Sequence, residues 1–259
     1  MPRLCLFCPR TVDSAEHIFS DWILKDLKAA EPIHIKLLKH TSKWIGNPEI
    51  RIKCVCQKCN NSWMSDLEAD NKPQIAAMMH GKSIVLKPTH QKLLVRWAIL
   101  KTMVLESAVK STFFTECEKA AIMPPSPHLL LHTRAWVGKL ATKGFHAGTT
   151  HTFGHIDNIP KAFEGCVATI VVGHFVIQVL IAHVLPMFAT RIVDAECKSG
   201  AWDETLLRIW PIFGDPDVRW PPRSPFVDKP GVLASGVWLI GGKLERILDD
   251  TLPSFLSPC

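Results

Sequence analysis

Cys-Leu-Phe-Cys (5–8) and Cys-Gln-Lys-Cys (56–59) are the two stretches that decide how the first part of this chain folds. A two-residue gap lets both sulfurs of a pair reach one ion from a tight turn. Two such pairs supply four thiolates, which is the ligand set of a closed tetrahedral zinc site. The spacing therefore predicts a structural Zn²⁺ ion bound by Cys5, Cys8, Cys56 and Cys59.

Cys54 offers a second way to form the later pair, because Cys54-Val-Cys56 also places two sulfurs close together. We prefer Cys56, since Cys56-Gln-Lys-Cys59 repeats the spacing of the first pair. The chain has nine cysteines, an odd number, with four at metal spacing. That pattern favours a reducing compartment over a disulfide framework. With no signal peptide ahead of the first pair, we expect a cytoplasmic protein.

The overall composition indicates a globular protein. The 259 residues are 47% hydrophobic and 21% charged, which is enough for one large or two small domains and excludes a disordered chain. The net charge of +6 is compatible with a nucleic-acid partner but does not require one. Residues 166–189 are apolar enough to span a bilayer. However, β-branched runs flank Gly173-His174, so we predict a buried hairpin there and no membrane partner.

The Glu16-His17 dipeptide lies between the two cysteine pairs. Histidine gains and loses a proton near neutral pH, and a carboxylate is a hard ligand for a divalent ion. Hydrolysis of a phosphodiester requires both an activated water and neutralisation of charge on the phosphate. We predict a short helix, capped by Ser14, that carries this dipeptide.

The second cysteine pair is preceded by alternating strands and followed by a helix. Residues 33–38 and 49–53 alternate between apolar and polar side chains, which is typical of strands. The helix begins at Asn60 and places Trp63 and Leu67 on its core face, one turn apart. We expect Asn71-Lys-Pro73 to interrupt it.

The N-terminal quarter resembles the HNH endonucleases of the ββα-metal type, in the subgroup with cysteine knuckles. Cys-Leu-Phe-Cys (5–8), Glu16-His17 and Cys-Gln-Lys-Cys-Asn (56–60) match the motifs of that family in order. The run from Cys59 to Glu68, Cys-Asn-Asn-Ser-Trp-Met-Ser-Asp-Leu-Glu, is also similar to that of bacterial HNH-like proteins.

The resemblance implies a role for each matching residue. His17 is expected to be the general base that deprotonates water. Glu16 and Asn60 are expected to bind a catalytic Mg²⁺ or Mn²⁺ ion, distinct from the zinc. The nearest match to the central Asn of the family motif is Asn47, at an unusual spacing. Glu68 shares a helix face with Asn61, so it can add an oxygen to the metal or hold His17.

The resemblance and the patterns together predict an α+β protein. We expect a small zinc-stabilised ββα-metal, treble-clef-like domain over residues 1–75 and a larger mixed α and antiparallel-β domain over 76–259. In the second part, residues 91–109 have helical periodicity, with Lys101 on the same face as Trp97 and Leu105. Its histidines at 146, 151, 155, 174 and 183 fit no ligand motif, so we expect core or surface roles. A partner protein or a second copy of the chain can bind this part.

A basic segment separates the dipeptide from the second cysteine pair. The segment from Glu31 to Asn60 contains six cationic residues and two carboxylates. This local excess of positive charge is suited to binding phosphate. The cations are Lys36, Lys39, Lys43, Arg51, Lys53 and Lys58, and the carboxylates are Glu31 and Glu49. The resemblance to HNH endonucleases, together with this charge, implies an endonuclease that hydrolyses DNA. The alternatives are a zinc-knuckle module that binds nucleic acid without cutting it and a partner-binding protein.

Overall fold

The computed structural model describes residues 2–27, 33–36, 43–45, 50–125, 127–129, 133–156, 159–184, 204–212 and 216–238. Within these ranges the fold is mixed α/β, and all strand pairs but one are antiparallel. The helices are α1 (Asp21–Asp26), α2 (Gln57–Cys59), α3 (Ser65–Met79), α4 (Pro88–Ala108), α5 (Glu116–Ala121) and α6 (Lys229–Trp238). The strands are β1 (Ser14–His17), β2 (Ile33–Lys36), β3 (Lys43–Ile45), β4 (Arg51–Val55), β5 (Ile84–Leu86), β6 (Thr133–Ile156), β7 (Ile159–Val184), β8 (Leu206–Trp210) and β9 (Val218–Trp220).

The Glu16-His17 dipeptide lies on a strand, so the predicted helix capped by Ser14 is wrong. β1 pairs with β4 in antiparallel register, with Glu16 opposite Ile52 and His17 opposite Arg51. The pairing provides partners for the backbone hydrogen-bonding groups of β1. Because side chains alternate along a strand, Glu16 then points inward and His17 is half-buried. Helix α1 begins only at Asp21, four residues after His17.

The helix predicted after the second cysteine pair is present. It starts as α2, widens to a π-helical turn over Asn60–Met64, and continues as α3. The predicted interruption near Pro73 is wrong, because α3 runs through this proline to Met79. Asn71 helps to hold the helix against α4: its side-chain amide donates to Leu67 O at 2.8 Å and to Leu93 O at 3.1 Å.

A long hairpin, β6–β7, forms the centre of the second part. β8 pairs with the start of β6 from Ala135 to Gly138, and β2 pairs in parallel with its later portion, His146 to Gly148. β3 extends the sheet beyond β2, and β5 pairs separately with β9. The predicted helix over 91–109 is confirmed as α4, which packs its buried side chains, including Trp97, Lys101 and Leu105, into the main core.

The predicted hairpin at Gly173-His174 is wrong, because β7 continues through both residues. Every second side chain of β7 faces the main core from Cys166 to Val172, and again from Phe175 to Ile181. The step between Val172 and Phe175 is three residues instead of two. Gly173, with φ of +60°, therefore marks a bulge in the hairpin: the alternation of β7 shifts by one residue, and the extra residues lie on β6 between Lys139 and Gly144. The pairing of β6 with β7 extends to the other end of β7, where Ile156 lies opposite Ile159.

One buried core contains side chains from both sides of the predicted boundary at residue 75, and α3 itself crosses that boundary. The division into domains 1–75 and 76–259 stays a prediction. A second cluster, including Val171 and Val232, lies between the other face of the hairpin and α6. Across the helices of the described ranges, none combines the length and apolar character needed to cross a bilayer.

Candidate functional site

The first feature of the site is a cluster of four cysteine sulfurs. The Sγ atoms of Cys5, Cys8, Cys56 and Cys59 all lie within 4.8 Å of one another. Cys8 Sγ is 3.5 Å from Cys56 Sγ and 3.6 Å from Cys59 Sγ. Four sulfurs around a zinc ion at its usual bond length lie about 3.8 Å apart. The cluster can therefore hold a metal ion such as zinc with little rearrangement.

The local backbone explains why the sulfurs converge. The chain reverses between Cys5 and Arg10, whose carbonyl accepts from Cys5 N at 2.7 Å, and Leu6 N donates to Cys54 O at 2.8 Å. The turn is thereby bound to the end of β4. Cys56 N also donates to Cys5 Sγ at 3.2 Å, which links the two pairs directly.

The thiols of the cluster differ in acidity. Burial raises the pKa of Cys5 and of Cys59. At Cys8 burial acts in the same direction, but hydrogen bonds from the Arg10 backbone and from neighbouring thiols outweigh it and lower the pKa to about 7. Metal binding deprotonates all its thiol ligands, so loading the cluster must release protons.

Cys54 lies outside the cluster. Its side chain is 2% exposed, and burial raises its pKa to about 11. The geometry thus favours Cys56 over Cys54 in the second pair, as the matching spacing predicts.

The second feature is a cleft of about 370 Å³ beside β1 and the helix. Its lining includes all four residues proposed from the sequence for catalysis: Glu16, His17, Asn60 and Glu68. β1 supplies the first two, the π-helical turn supplies Asn60, and α3 supplies Glu68. An antiparallel strand pair followed by a helix therefore brings together residues that are up to 52 positions apart in the chain.

Asn60 is oriented by β1. Its Nδ2 donates to Ser14 Oγ at 2.9 Å and to Ala15 O at 3.2 Å. Because a carbonyl oxygen can only accept, this contact fixes which amide atom is the nitrogen. The amide oxygen of Asn60 is then the atom available to a ligand in the cleft.

His17 stands beside a carboxylate. Its Nε2 is buried and lies 3.3 Å from Oδ1 of Asp21, the first residue of α1, while the side chain as a whole is 24% exposed. The imidazole is thus reachable from the cleft and close to a group that can orient it.

Lys101 is the residue that the sequence-based interpretation missed. It reaches from α4 with no exposed surface, and its Nζ lies 2.6 Å from Glu16 Oε1, 2.7 Å from His17 O and 3.6 Å from Glu68 Oε2. Burial alone would lower the pKa of Lys101, but the carboxylates of Glu16 and Glu68 outweigh burial and raise it. The ammonium is therefore charged at neutral pH. A lysine on the apolar face of α4 was the available signal for such a partner.

Glu68 is held from two sides. Ser20 Oγ donates to its Oε1, and Lys101 approaches its Oε2. Its side chain is 20% exposed and lines the cleft, while these contacts hold the carboxylate in place. Glu68 is not a freely solvated helix residue.

Comparisons with known proteins add no identification. No family model, curated protein or solved structure matches the chain.

Positive charge borders the strand pair that carries the dipeptide. Arg51, Lys53 and Lys58 are exposed on β4 and α2. Lys72 lines the cleft, with its Nζ 5.3 Å from the centre of the Trp22 ring. Asn47 and the side chains of the remaining predicted basic residues, Lys36, Lys39 and Lys43, lie outside the described residues.

Proposed function

We propose that this protein is a metal-dependent endonuclease of the HNH type that hydrolyses phosphodiester bonds in DNA. The observation that carries the proposal is the cleft in which Glu16, His17, Asn60 and Glu68 come together. The order of two antiparallel strands and a helix, with a four-cysteine cluster at its base, supports a treble-clef-like ββα-metal arrangement. The matching motifs in the sequence support the same family.

His17 is the general base in this proposal. It accepts a proton from the attacking water, and the Asp21 carboxylate, 3.3 Å from Nε2, orients the imidazole. Positioned general bases typically contribute 10²–10⁴-fold to a rate. Loss of the imidazole should thus remove most of the activity.

Glu16 and Asn60 hold the catalytic Mg²⁺ or Mn²⁺ ion. The amide oxygen of Asn60 and the carboxylate oxygen of Glu16 that Lys101 does not contact are hard donors of the type these ions prefer. When bound, the ion supplies the Lewis acid that neutralises charge on the phosphate and the leaving oxygen. Glu68 lies close enough to Lys101 to share the task of balancing its charge.

The four-cysteine cluster has a separate, structural task. Four thiolates leave a zinc ion no open coordination position, so it cannot activate water. The cluster lies where β4 ends and α2 begins, which supports a role in holding the strand pair and the following helix together. Two kinds of metal are expected in the active protein.

The exposed cations at Arg51, Lys53 and Lys58 provide contacts to the phosphate backbone. Such contacts carry no base information and weaken as salt displaces them. Binding is therefore expected to be salt-dependent and largely independent of sequence.

A second function is favoured by one observation. The Lys101 ammonium already neutralises Glu16 at 2.6 Å, in the place where a divalent ion would contribute positive charge. A chain that replaced the ion with a buried lysine would retain the fold and the phosphate contacts without cutting. That alternative is a zinc-knuckle module that binds nucleic acid.

The test is conversion of supercoiled plasmid to nicked and linear forms by the full-length protein with Mg²⁺ or Mn²⁺. We expect metal-dependent cleavage by the wild type and a loss of about 10²-fold or more in His17→Ala. A parallel assay with single-stranded RNA tests whether the substrate is DNA or RNA.

His80→Ala is the matched control. His80 Nε2 pairs with Asp26 Oδ2 at 3.1 Å, much as His17 pairs with Asp21, but it does not line the cleft. The control should cleave like the wild type. Equal rates in His17→Ala and the wild type would overturn the proposed role of His17, and binding without cleavage in the wild type would establish the second function.

A further inference from the structure

A second group of ligand-type side chains lies away from the cleft, between α4 and the β6–β7 hairpin. Single ligand atoms of Glu106, His151 and Cys166 all lie within 4.8 Å of one another. His151 and Cys166 are directly opposite each other in the antiparallel register, so their side chains project from the same face of the sheet. Glu106 reaches that face from the last turn of α4. Three elements distant in sequence thus converge on one point.

The polar atoms at this point are buried and incompletely satisfied. The side chains of Glu106 and His151 are 3% and 7% exposed, and Cys166 is fully buried. Glu106 Oε2 lies 2.9 Å from His151 Nε2, but among the described residues neither atom makes a hydrogen bond of acceptable geometry. Buried polar atoms without such partners are rare, and a bound ion is one of the recognised reasons for them.

The surroundings orient the carboxylate as they would a metal ligand. Thr149 Oγ1 donates to Glu106 Oε1 at 2.5 Å, which leaves Oε2 to face His151. The ring of Phe113 packs edge-on against His151 with 5.2 Å between centroids, and it forms an apolar wall. Ligating carboxylates and imidazoles in metal proteins are held by outer contacts of this kind.

We propose that Glu106, His151 and Cys166 bind a transition-metal ion of the zinc class. One carboxylate and one thiolate balance a 2+ charge, so the buried site becomes neutral when it is loaded. A soft thiolate and an imidazole select zinc over Mg²⁺ or Ca²⁺. Three protein ligands leave one coordination position for a water or a small anion. To reach tetrahedral angles, the carboxylate and imidazole need to separate from 2.9 Å to about 3.3 Å, which is a small side-chain movement.

The proposal does not depend on nuclease activity, because its test counts bound metal. Full-length protein is stripped, reloaded with Zn²⁺ in the absence of Mg²⁺, dialysed and measured for zinc per chain. We expect two ions in the wild type, one in the four-cysteine cluster and one here. Cys166→Ala should retain one ion. Cys117→Ala, which changes an exposed cysteine outside both clusters, should retain two.

Co²⁺ substitution identifies the ligands. The four-cysteine site should give a thiolate charge-transfer band from four sulfurs, and the second site a weaker band from one. In Cys59→Ser, which disrupts only the first site, the one-thiolate spectrum should remain. A single zinc ion per wild-type chain would overturn the proposal, and so would two ions that survive in both Cys166→Ala and His151→Gln. Should either variant fail to fold, the wild-type count and the Cys59→Ser spectrum decide.

Discussion

At the scale of single residues, Lys101 is the side chain on which the candidate site depends most. A lysine with no exposed surface is stable only because Glu16, Glu68 and the His17 carbonyl surround its ammonium. Buried ion pairs of this kind add little net stability compared with an apolar replacement, but losing one partner leaves the other charge uncompensated. The same contacts set the position of the Glu16 carboxylate and of the His17 backbone.

We expect Lys101→Met to lower the free energy of unfolding by about 3 kcal/mol or more, since it leaves Glu16 buried without its cation. Glu16→Gln combined with Lys101→Met should recover part of that loss, because the buried charge is then gone. Urea unfolding of the two single variants and the double variant measures this coupling. A loss below about 1 kcal/mol in Lys101→Met would contradict the assigned pairing.

The cysteine assignment makes its own prediction. Cys56→Ser should lose the metal ion of the first cluster, since it removes one of four sulfurs within 4.8 Å of one another. Cys54→Ser should keep the metal, because that thiol lies outside the cluster and burial keeps it protonated. Zinc content after dialysis measures both variants. Metal loss in Cys54→Ser with retention in Cys56→Ser would reverse the assignment.

At the scale of elements, the backbone of β7 packs against the end of α3 at Gly173, next to the bulge in the hairpin. Gly173 has φ of +60°, and a Cβ at this position would overlap the carbonyl oxygen of Met79. The close approach holds α3, which carries Glu68, against the sheet. Glycine is required here both for the backbone conformation and for the space.

Gly173→Ala should therefore lower the free energy of unfolding by about 3 kcal/mol, because neither the β7 backbone nor the Met79 carbonyl can move aside without disturbing its own element. Gly231→Ala is the control. A Cβ there meets only side-chain atoms, the nearest at 3.3 Å, so we expect a change within about 1 kcal/mol. Thermal or urea unfolding checks both, and equal small effects would mean that the bulge does not need glycine.

A second contact between elements is sensitive to pH. His183 on β7 lies 2.7 Å from Glu118 on α5, and this hydrogen bond raises the pKa of His183 above its usual 6.5. Burial would raise the pKa of Glu118, but the hydrogen bonds from His183 and from Thr115 together outweigh burial and lower the pKa below 4.5. The contribution of His183 is complete below pH 6.5 and is lost as the pH rises through its raised pKa. That of Glu118 is lost as the pH falls through its lowered pKa.

The pair thus stabilises the fold most between pH 4.5 and 6.5. We expect Glu118→Gln to destabilise the protein by about 1 kcal/mol more near pH 5.5 than near pH 9. Glutamine can keep the capping contact to Thr115, so the ion pair is the main loss. Glu116→Gln, on the same helix but 87% exposed, should show little such difference in urea unfolding. A pH-independent effect of Glu118→Gln would exclude the ion pair.

At the scale of the whole molecule, the features that depend on local sequence were predicted better than those that depend on contacts between distant residues. The two cysteine pairs, the helix after Cys59 and the buried face of α4 are visible in the sequence, because spacing and periodicity are local. The conformation of Glu16-His17 was mispredicted, since β4, its strand partner, lies more than thirty residues away. Gly173-His174 has the sequence of a hairpin turn but lies within β7 at a bulge, because the end of α3 packs against Gly173.

The two clusters that sequence patterns did not predict share one cause. Lys101 and Glu106 lie on α4 and meet partners on β1, β6 and β7, which only the folded chain brings close. A charged residue within a buried helix face indicates that a partner exists but does not identify it. Tertiary pairing, rather than any local motif, assembles both sites.

The most direct test of the central claim is anomalous scattering from crystals of the full-length protein grown with saturating Mn²⁺. A metal-dependent nuclease requires that Glu16 bind an ion while Lys101 holds its other oxygen. We predict a manganese peak in the cleft, in contact with Asn60 and Glu16, in addition to a metal in the four-cysteine cluster. A cleft without manganese at saturation, with Lys101 still bound to Glu16, would contradict the nuclease and leave the binding module.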